Sequence, residues 1–415
     1  MPARKPPAAP RAPDLSNLAP CVADARAAVA SRLEGPPDPV SFDDLVARLD
    51  RARDELPPLY RTAVLDPFAR TLRELGAAGF RRALDRDPRR QATALLLLDV
   101  AQALLQAAEG TEPRATPAFQ EVVSDLYDGF LSAEDRRGVK PPDRGVVAPL
   151  VKWGRPDFGP YTLTVEATRS VGAAAGVVSL PPSHAGGALL GWAALGHETA
   201  GHDVLGADVG LEPELAAAVA AALRKAGFRS VADYWADRIG ETASDVMGIL
   251  NMGPAAAVGL VGYFRGLRGA IDGEEKLQAE GPDWDEHPAD AARGYLAAAA
   301  VRLLAFAGRE AWARQVEAWT DEDAPAVVLA GVRLSRVRAR RAAAAVAGAI
   351  VRTPMASLEH HALGEIQTWR DGDERVAERL RATLASAEPL PEAFEAGTYA
   401  AHAMAAAVEL AASPG

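Results

Sequence analysis

Apolar residues recur at intervals of three and four along most of this 415-residue chain, and this spacing favours a largely helical fold. Residues 40–56, 64–84 and 90–109 show the pattern clearly, and Ser41 followed by Asp43 predicts a capped start for the first of these helices. After residue 185 the same periodicity, interrupted by Gly and Pro, predicts helices at 186–202, 212–226, 230–251, 254–268, 287–308, 309–319, 325–351, 355–369 and 373–387.

One region of the chain has the pattern of β-structure. Residues 161–168 alternate between apolar and polar side chains and are rich in β-branched residues, and residues 175–180 predict a second strand. A Pro- and Gly-rich loop over residues 138–159 separates this region from the helices before it. The sequence therefore predicts a mainly α protein with a small β-sheet, of the α+β class.

Composition excludes several classes of partner and chemistry. The chain has 45 Lys and Arg residues against 56 Asp and Glu residues, and a net charge of −11 disfavours nucleic acid and anionic membrane surfaces as partners. A single cysteine, Cys21, excludes an internal disulfide and a thiolate metal site. Because the chain has no apolar signal segment and no run of 18 apolar residues, we expect a cytoplasmic protein without a membrane partner. The oligomeric state stays open.

The segment with the most chemical information is residues 197–202, which read HETAGH. In the zinc-protease motif HExxH, two histidines four residues apart share a helix face, and the glutamate between them is the general base. Here His197 and His202 are five residues apart, which separates them by about 140° on an ideal α-helix. A π-bulge absorbs one extra residue, and Gly201 is a residue type that permits one. We therefore predict that the two imidazoles converge on a metal ion.

A second segment supplies carboxylates. Glu241 and Asp245 lie four residues apart on a predicted helix and so share a face. One carboxylate can bind a metal while the other accepts the N–H of a metal-bound imidazole. His197, His202 and Glu241 together predict a site with one open position, which is the catalytic form of zinc coordination, with one zinc ion per chain.

These segments resemble two groups of zinc peptidases. HETAGH matches the HExxGH form found in dipeptidyl-peptidase III enzymes, and Glu241-Thr-Ala-Ser-Asp245 resembles the ExxSD segment of thermolysin-like gluzincins, whose Glu is the third zinc ligand. The resemblance covers residues 150–250 and implies a zincin-like catalytic core flanked by helical regions. Gly240 departs from the pattern, because dipeptidyl-peptidase III enzymes have paired acidic residues there.

The resemblance and the breaks in the apolar pattern together predict four regions. They are a disordered Pro-rich leader at 1–18, a helical N-terminal domain at 19–145, a zincin-like metal-binding core at 146–270 and a helical C-terminal domain at 271–415.

A third segment supplies candidates for transition-state stabilisation. His287-Pro288, followed after four residues by Arg293, is similar to an HPxxxxR segment of some membrane-associated metallopeptidases. A His, Arg or Tyr near the metal can stabilise the oxyanion that forms when water attacks a carbonyl. The candidates are His287, Arg293 and Tyr295.

The function expected from these residues is that of a zinc-dependent, metallopeptidase-type hydrolase acting on a peptide or amide. Glu198 would take a proton from the attacking water and pass it to the leaving nitrogen, while a predicted strand would pair with an extended substrate. Two alternatives stay open. The same ligands suit Fe(II) in an oxygenase or other tailoring enzyme, or a metal that only stabilises a helical scaffold.

Overall fold

The structure, a computed structural model, describes residues 14–85, 91–132, 134–144, 147–386 and 398–414. It is mainly α-helical with two small three-stranded sheets, which confirms the predicted fold class. The longer helices are Leu18–Ala30, Phe42–Ala52, Asp66–Leu84, Gln91–Glu109, Ala115–Leu131, Leu211–Lys225, Ile239–Met252, Pro254–Ile271, Asp290–Leu303, Arg309–Asp323, Arg336–Arg352, Asp371–Ser386 and Ala400–Ala412. The shorter helical segments are Pro58–Tyr60, Arg61–Leu65, Pro156–Phe158, Val165–Thr168, Arg169–Val171, Pro182–His184, Leu189–Ala193, Leu195–His197, Glu198–Asp203, Arg229–Val231, Ala232–Ala236, Ala356–Leu358 and Leu363–Ile366.

The first sheet comes from the region predicted to be β-structure. Its strands are β1 (Leu150–Trp153), β2 (Tyr161–Leu163) and β3 (Val177–Leu180), in the order β1-β3-β2. β1 runs parallel to β3 and β2 antiparallel to it, so that β2 forms an edge. The predicted strand 161–168 ends early because the Thr164 side chain accepts a hydrogen bond from the Ala167 N–H and caps a short helix.

The second sheet corrects a sequence prediction. Its strands are β4 (Glu280–Gly281), β5 (Ala326–Leu329) and β6 (Val332–Ser335), so the prediction of one continuous helix over 325–351 was wrong at its start. Ala330 and Gly331, with φ of 46° and 77°, form the tight turn between β5 and β6. The predicted helix at 230–251 is likewise divided, and the one at 355–369 is reduced to two short segments.

Four helical segments surround the predicted site. The histidine helix spans residues 189–203, and the glutamate helix is Ile239–Met252. The cleft helix, Pro254–Ile271, follows directly, and the arginine helix is Asp290–Leu303. The glutamate helix packs against the other three.

A single residue, Gly253, separates the glutamate helix from the cleft helix. Its φ of 67° is unfavourable for residues with a side chain, and a Cβ there would also lie 2.5 Å from the Trp369 ring. Pro254 then begins the cleft helix, where a missing N–H leaves no hydrogen bond unmade.

Helices from near both ends of the described chain lie against the cleft helix. Leu18–Ala30 and Ala400–Ala412 pack on it and on each other. The Asn17 backbone N–H donates to the Ala412 carbonyl at 2.9 Å, and the Asn17 side chain donates to the Ala411 carbonyl at 2.7 Å. The predicted leader lies outside the described residues up to residue 13, whereas Leu15 and Leu18 at its end are buried.

Buried apolar residues form two clusters. The larger one contains the four helices around the site, and the second joins the helices of residues 42–109 to Leu150 and Val177 of the first sheet. Since a cluster describes packing and not independent folding, the domain boundaries near 145 and 270 stay predictions.

One described helix, Gln91–Glu109, is long and apolar enough to cross a membrane, with a mean hydropathy of 1.3. Half of its most apolar window is buried inside the protein, where Leu97, Val100 and Leu104 fill the second cluster. This is also the composition of a core helix in a soluble protein, so the helix alone is weak evidence for a membrane.

Candidate metal centre

The histidine helix changes its winding at the predicted place. Residues Glu198–Asp203 form a π-helix, in which hydrogen bonds run from residue i to i+5 and residues five apart come to lie one turn above each other. His197 and His202 therefore converge, with their Nε2 atoms 3.1 Å apart and their rings nearly perpendicular. The extra residue of HETAGH is accommodated in this way.

Small residues allow the glutamate helix to approach the histidine helix closely. A Cβ on Gly201 would lie 2.1 Å from the Cβ and Oγ of Ser244, and a Cβ on Gly248 would lie 2.7 Å from the Gly196 carbonyl carbon. Because real Cβ atoms do not come this close to other heavy atoms, the contacts at both positions need glycine. The crossing brings Glu241 to the two imidazoles.

Glu241 supplies a third donor group at metal-binding distance. Its Oε2 lies 3.3 Å from His197 Nε2, and its Oε1 lies 3.4 Å from His202 Nε2. With one ligand atom taken from each residue, the three atoms lie within 4.8 Å of one another, so the group could hold a metal ion. Glu241 Oε2 is also buried and has no hydrogen-bond partner among the described residues, which leaves it available to a cation.

Asp245 and Arg293 hold His197 from behind. Asp245 Oδ1 lies 2.8 Å from His197 Nδ1, which directs the Nε2 of that ring towards Glu241. Arg293 donates to both oxygens of Asp245 at 2.7 Å, and its guanidinium lies over the Phe264 ring, 4.6 Å from the centroid. Asp245 thus has the predicted place of an acceptor behind a metal-bound imidazole.

The carboxylates of the site favour positive charge on His197, so a metal ion that binds there has to displace a proton. Burial alone lowers the pKa of His197, but the hydrogen bond to Asp245 and the negative charges of Asp245 and Glu241 outweigh it and raise this pKa to about 10. Burial, followed by the charge of His197, lowers the pKa of His202, which therefore keeps a free lone pair. Burial raises the pKa of Glu241, but His197 and Arg293 outweigh it and hold this carboxylate ionised.

Glu198 lies beside the three donor groups and faces a cleft of about 360 Å³. Its side chain is mostly buried, and the Thr162 hydroxyl lies 2.9 Å from both its Oε2 and its carbonyl oxygen. Because Thr162 belongs to edge strand β2, the strand and the predicted general base are held together.

The other three predicted site residues are placed differently from one another. His287 lines the cleft, with its Nε2 3.7 Å from Glu241 Oε2 and its side chain half exposed. Arg293 also lines the cleft, but its guanidinium pairs with both oxygens of Asp245, which makes it a positioning residue for His197.

Tyr295 lies on the other side of the arginine helix, two residues beyond Arg293. Its hydroxyl donates to Asp321 at 2.7 Å, and it is not among the residues that line the cleft. The structure therefore does not bring Tyr295 to the other predicted site residues.

Sequence reasoning missed Thr162, Tyr263 and Phe264 as parts of the site. Thr162 had a local signal, because it lies in the predicted strand, but its contact with Glu198 depends on the tertiary fold. Tyr263 and Phe264 looked like ordinary core residues of an apolar helix, and they line the cleft because that helix follows the glutamate helix directly.

No protein-family model matches the chain, and no curated protein or solved structure is significantly similar to it.

Proposed function

We propose that the protein is a zinc-dependent hydrolase of the metallopeptidase type, a divergent relative of the gluzincins, acting in the cytoplasm on a peptide or amide. The observation that carries the proposal is the convergence of His197, His202 and Glu241 through a π-helix, with donor distances of 3.1–3.4 Å. One zinc ion per chain would be held by these three residues.

The residues around this group support a hydrolytic reaction. When bound, zinc polarises the substrate carbonyl and lowers the pKa of a coordinated water to about 7. Glu198 takes a proton from the attacking water and delivers it to the leaving nitrogen, with Thr162 fixing the position of its carboxylate. His287, whose Nε2 lies 3.7 Å from Glu241 Oε2, donates to the developing oxyanion.

The edge strand beside Glu198 supports an extended substrate. β2 pairs with β3 on one side only within its sheet, and residues 157–160 directly before it line the cleft. An extended peptide can add to such an edge through main-chain hydrogen bonds, in the way that other proteins bind peptides as an extra strand.

Metal content is the first test. We expect about one zinc per purified chain by elemental analysis, lost in His202→Ala and in Glu241→Ala. His360→Asn is the matched control, since His360 is exposed and its φ of 66° suits asparagine. Iron in place of zinc would favour the oxygenase alternative, and no metal after reconstitution would contradict the proposal.

Glu198→Gln separates catalysis from metal binding. We expect this variant to keep its zinc, because Glu198 is not among the three donors, and to lose about 10²–10⁴-fold in peptide hydrolysis. A fluorogenic peptide library measures the activity. Full activity would exclude Glu198 as the base, and a metal-loaded wild type without any hydrolysis would favour the scaffold alternative.

A further inference from the structure

Two stretches that are far apart in the sequence lack acidic residues altogether. Residues 215–232 and 324–358 contain nine Lys and Arg residues and no Asp or Glu, in a chain where acidic residues are in excess. The helices Leu211–Lys225 and Arg336–Arg352, which run through these stretches, pack against each other. The fold therefore places two basic stretches of an acidic protein side by side.

Four cationic residues of these stretches are grouped around the buried ring of Phe228. The guanidiniums of Arg338 and Arg341 both lie over this ring, with their Cζ atoms 5.2 and 5.9 Å from its centroid. Lys225 precedes Phe228 by three residues, and Arg229 follows it directly. All four cationic residues are exposed, and within the described parts of the chain none of them pairs with a carboxylate. These four residues are referred to below as the basic surface.

Two arginines of the same helix have structural contacts that the basic surface lacks. Arg336 donates to a main-chain carbonyl at 3.0 Å, and Arg340 pairs with Asp321. Both side chains therefore hold their helix against the chain that precedes it. Arg338 and Arg341 contact only an aromatic ring and are open to solvent, so their charges are available to a partner.

The position of Arg338 disfavours a purely structural role. It lies in the first turn of the helix Arg336–Arg352, which has no acidic residue there. Because the positive end of the helix dipole lies at this turn, a cation without a partner lowers stability. The neighbouring Val337 is 63% exposed and shares a helix face with Arg341, four residues further on. An open apolar group thus lies among the cations.

We infer that the basic surface binds a short acidic segment of a partner protein, rich in Asp or Glu, with an apolar side chain against Val337. Guanidinium groups bind carboxylates through two parallel hydrogen bonds, so Arg338 and Arg341 suit such a segment. A net charge of −11 makes the rest of the molecule repel a long nucleic acid or a broad anionic membrane, whereas a short segment contacts this surface alone. This binding is separate from the proposed hydrolysis and does not involve the metal donors.

A Glu-rich peptide tests the basic surface directly. We would titrate the full-length protein into a fluorescently labelled peptide of about a dozen residues, composed of Glu with two Leu, and follow its anisotropy. We expect saturable binding with a Kd below about 1 mM, which weakens as salt is added because exposed charge pairs are screened. The same peptide with Gln in place of Glu is the control and should not bind. Absence of saturation by the Glu peptide at low salt would overturn the inference.

Charge reversal locates the binding site. Arg341→Glu should weaken peptide binding about tenfold. Arg352→Glu is the matched control, because Arg352 is exposed on the same helix, about 16 Å further along its axis, and the net charge changes equally. Arg229→Glu, on the other stretch, should weaken binding as well and does not alter this helix. Thermal unfolding confirms that each variant is folded. Equal Kd values for Arg341→Glu and Arg352→Glu would overturn the assignment.

Two other polyanions complete the experiment. The same titration is made with a labelled single-stranded oligonucleotide and with phosphatidylserine-containing vesicles. We expect both to bind more weakly than the Glu-rich peptide, because they meet the acidic remainder of the protein. If either binds more tightly than the peptide and loses this binding in Arg341→Glu, the surface recognises that polyanion and the acidic-segment inference is wrong.

Discussion

At the scale of single residues, the orientation of the His197 ring is fixed by the groups that contact its two nitrogens. Its Nε2 faces His202 and Glu241, and its Nδ1 faces Asp245. Asp245 in turn is fixed by Arg293 and is completely buried as a side chain. The imidazole therefore has one orientation available, and the residue that sets it does not itself contact the proposed metal position.

The first prediction concerns Asp245→Asn. An amide cannot hold the His197 Nδ1–H and the Arg293 guanidinium as a carboxylate does, so we expect about 10–100-fold weaker zinc binding with the fold retained. Competition with a chromogenic chelator measures the affinity. Asp321→Asn is the control, because Asp321 contacts the far face of the arginine helix through Tyr295. Equal zinc affinity of Asp245→Asn and wild type would contradict this role.

The spacing of residues along the chain was enough to predict the donors, because the relevant side chains lie close together within single helices. His197 and His202 lie on one helix and Glu241 and Asp245 on another, and spacing along a helix determines which side chains share a face. Tyr295 was predicted alongside His287 and Arg293, but its spacing of two residues from Arg293 places it on the opposite side of the helix. Thr162 and Tyr263 were not identified, since their approach to Glu198 depends on how separate elements pack.

At the scale of elements, the site depends on the crossing of the histidine and glutamate helices. The two contacts that permit it, at Gly201 and Gly248, leave no room for a methyl group. The π-helix and the close crossing meet at Gly201, so this residue serves both the convergence of the histidines and the approach of Glu241.

The second prediction is that Gly201→Ala abolishes zinc binding. The added Cβ would meet Ser244 at 2.1 Å and push the glutamate helix away from the imidazoles. Gly348→Ala is the control, because Gly348 lies inside the helix Arg336–Arg352 with nothing within 4 Å of its Cβ position. That control should keep its zinc and gain up to about 1 kcal/mol in stability. Elemental analysis and thermal unfolding distinguish the two, and a zinc-loaded Gly201→Ala would contradict the packing argument.

The third prediction concerns Glu409 in the helix Ala400–Ala412. Burial and then the charge of Glu374 raise its pKa to about 8, against an offsetting contribution from Arg381. The folded state therefore binds this proton more tightly than the unfolded state, and stability falls as the pH rises from about 4.5 to about 8. Glu409→Gln removes this dependence, so its melting temperature relative to wild type should rise between pH 5 and pH 8.

The size of that effect is at most about 4 kcal/mol over three pH units. Glu74→Gln, an exposed position on the helix Asp66–Leu84, is the control and should follow the wild type at every pH. If the melting temperature of Glu409→Gln differed from that of wild type by the same amount at pH 5 and at pH 8, the pKa of Glu409 would not be raised in the folded protein, and the prediction would fail.

Periodicity identified most long helices but not the short strands. β1, β5 and β6 have four residues each, too few for alternation to stand out from a helical pattern. The β5–β6 turn at Ala330 and Gly331 lacks the Asn-Gly or Asp-Gly pair that marks such turns in a sequence. The first sheet was predicted in part, because β-branched residues are concentrated in it.

At the scale of the whole molecule, the proposed zinc ion would link the histidine helix to the glutamate helix. Its donors His202 and Glu241 are 39 residues apart in the sequence. Binding to the folded state alone stabilises that state by mass action, about 4 kcal/mol at a thousand times the dissociation constant. Metal binding and global stability are therefore linked.

The fourth prediction follows from this linkage. A strong chelator should lower the melting temperature of wild-type protein by several degrees, and added zinc should restore it. His202→Ala, which lacks one donor, should melt at the same temperature with and without the chelator. An equal response of both proteins would place the metal elsewhere, and no response in wild type would mean that the donors hold no ion.

The contact between the helices Leu18–Ala30 and Ala400–Ala412 has a consequence for biosynthesis. Both cover the cleft helix, yet the ribosome produces one long before the cleft helix and the other about 130 residues after it. Residues 400–412 pack on the histidine and cleft helices in the folded protein. Until these residues leave the ribosomal exit tunnel, that part of the apolar surface of the two helices stays exposed. The nascent chain thus exposes this surface to chaperones until residues 400–412 have been made.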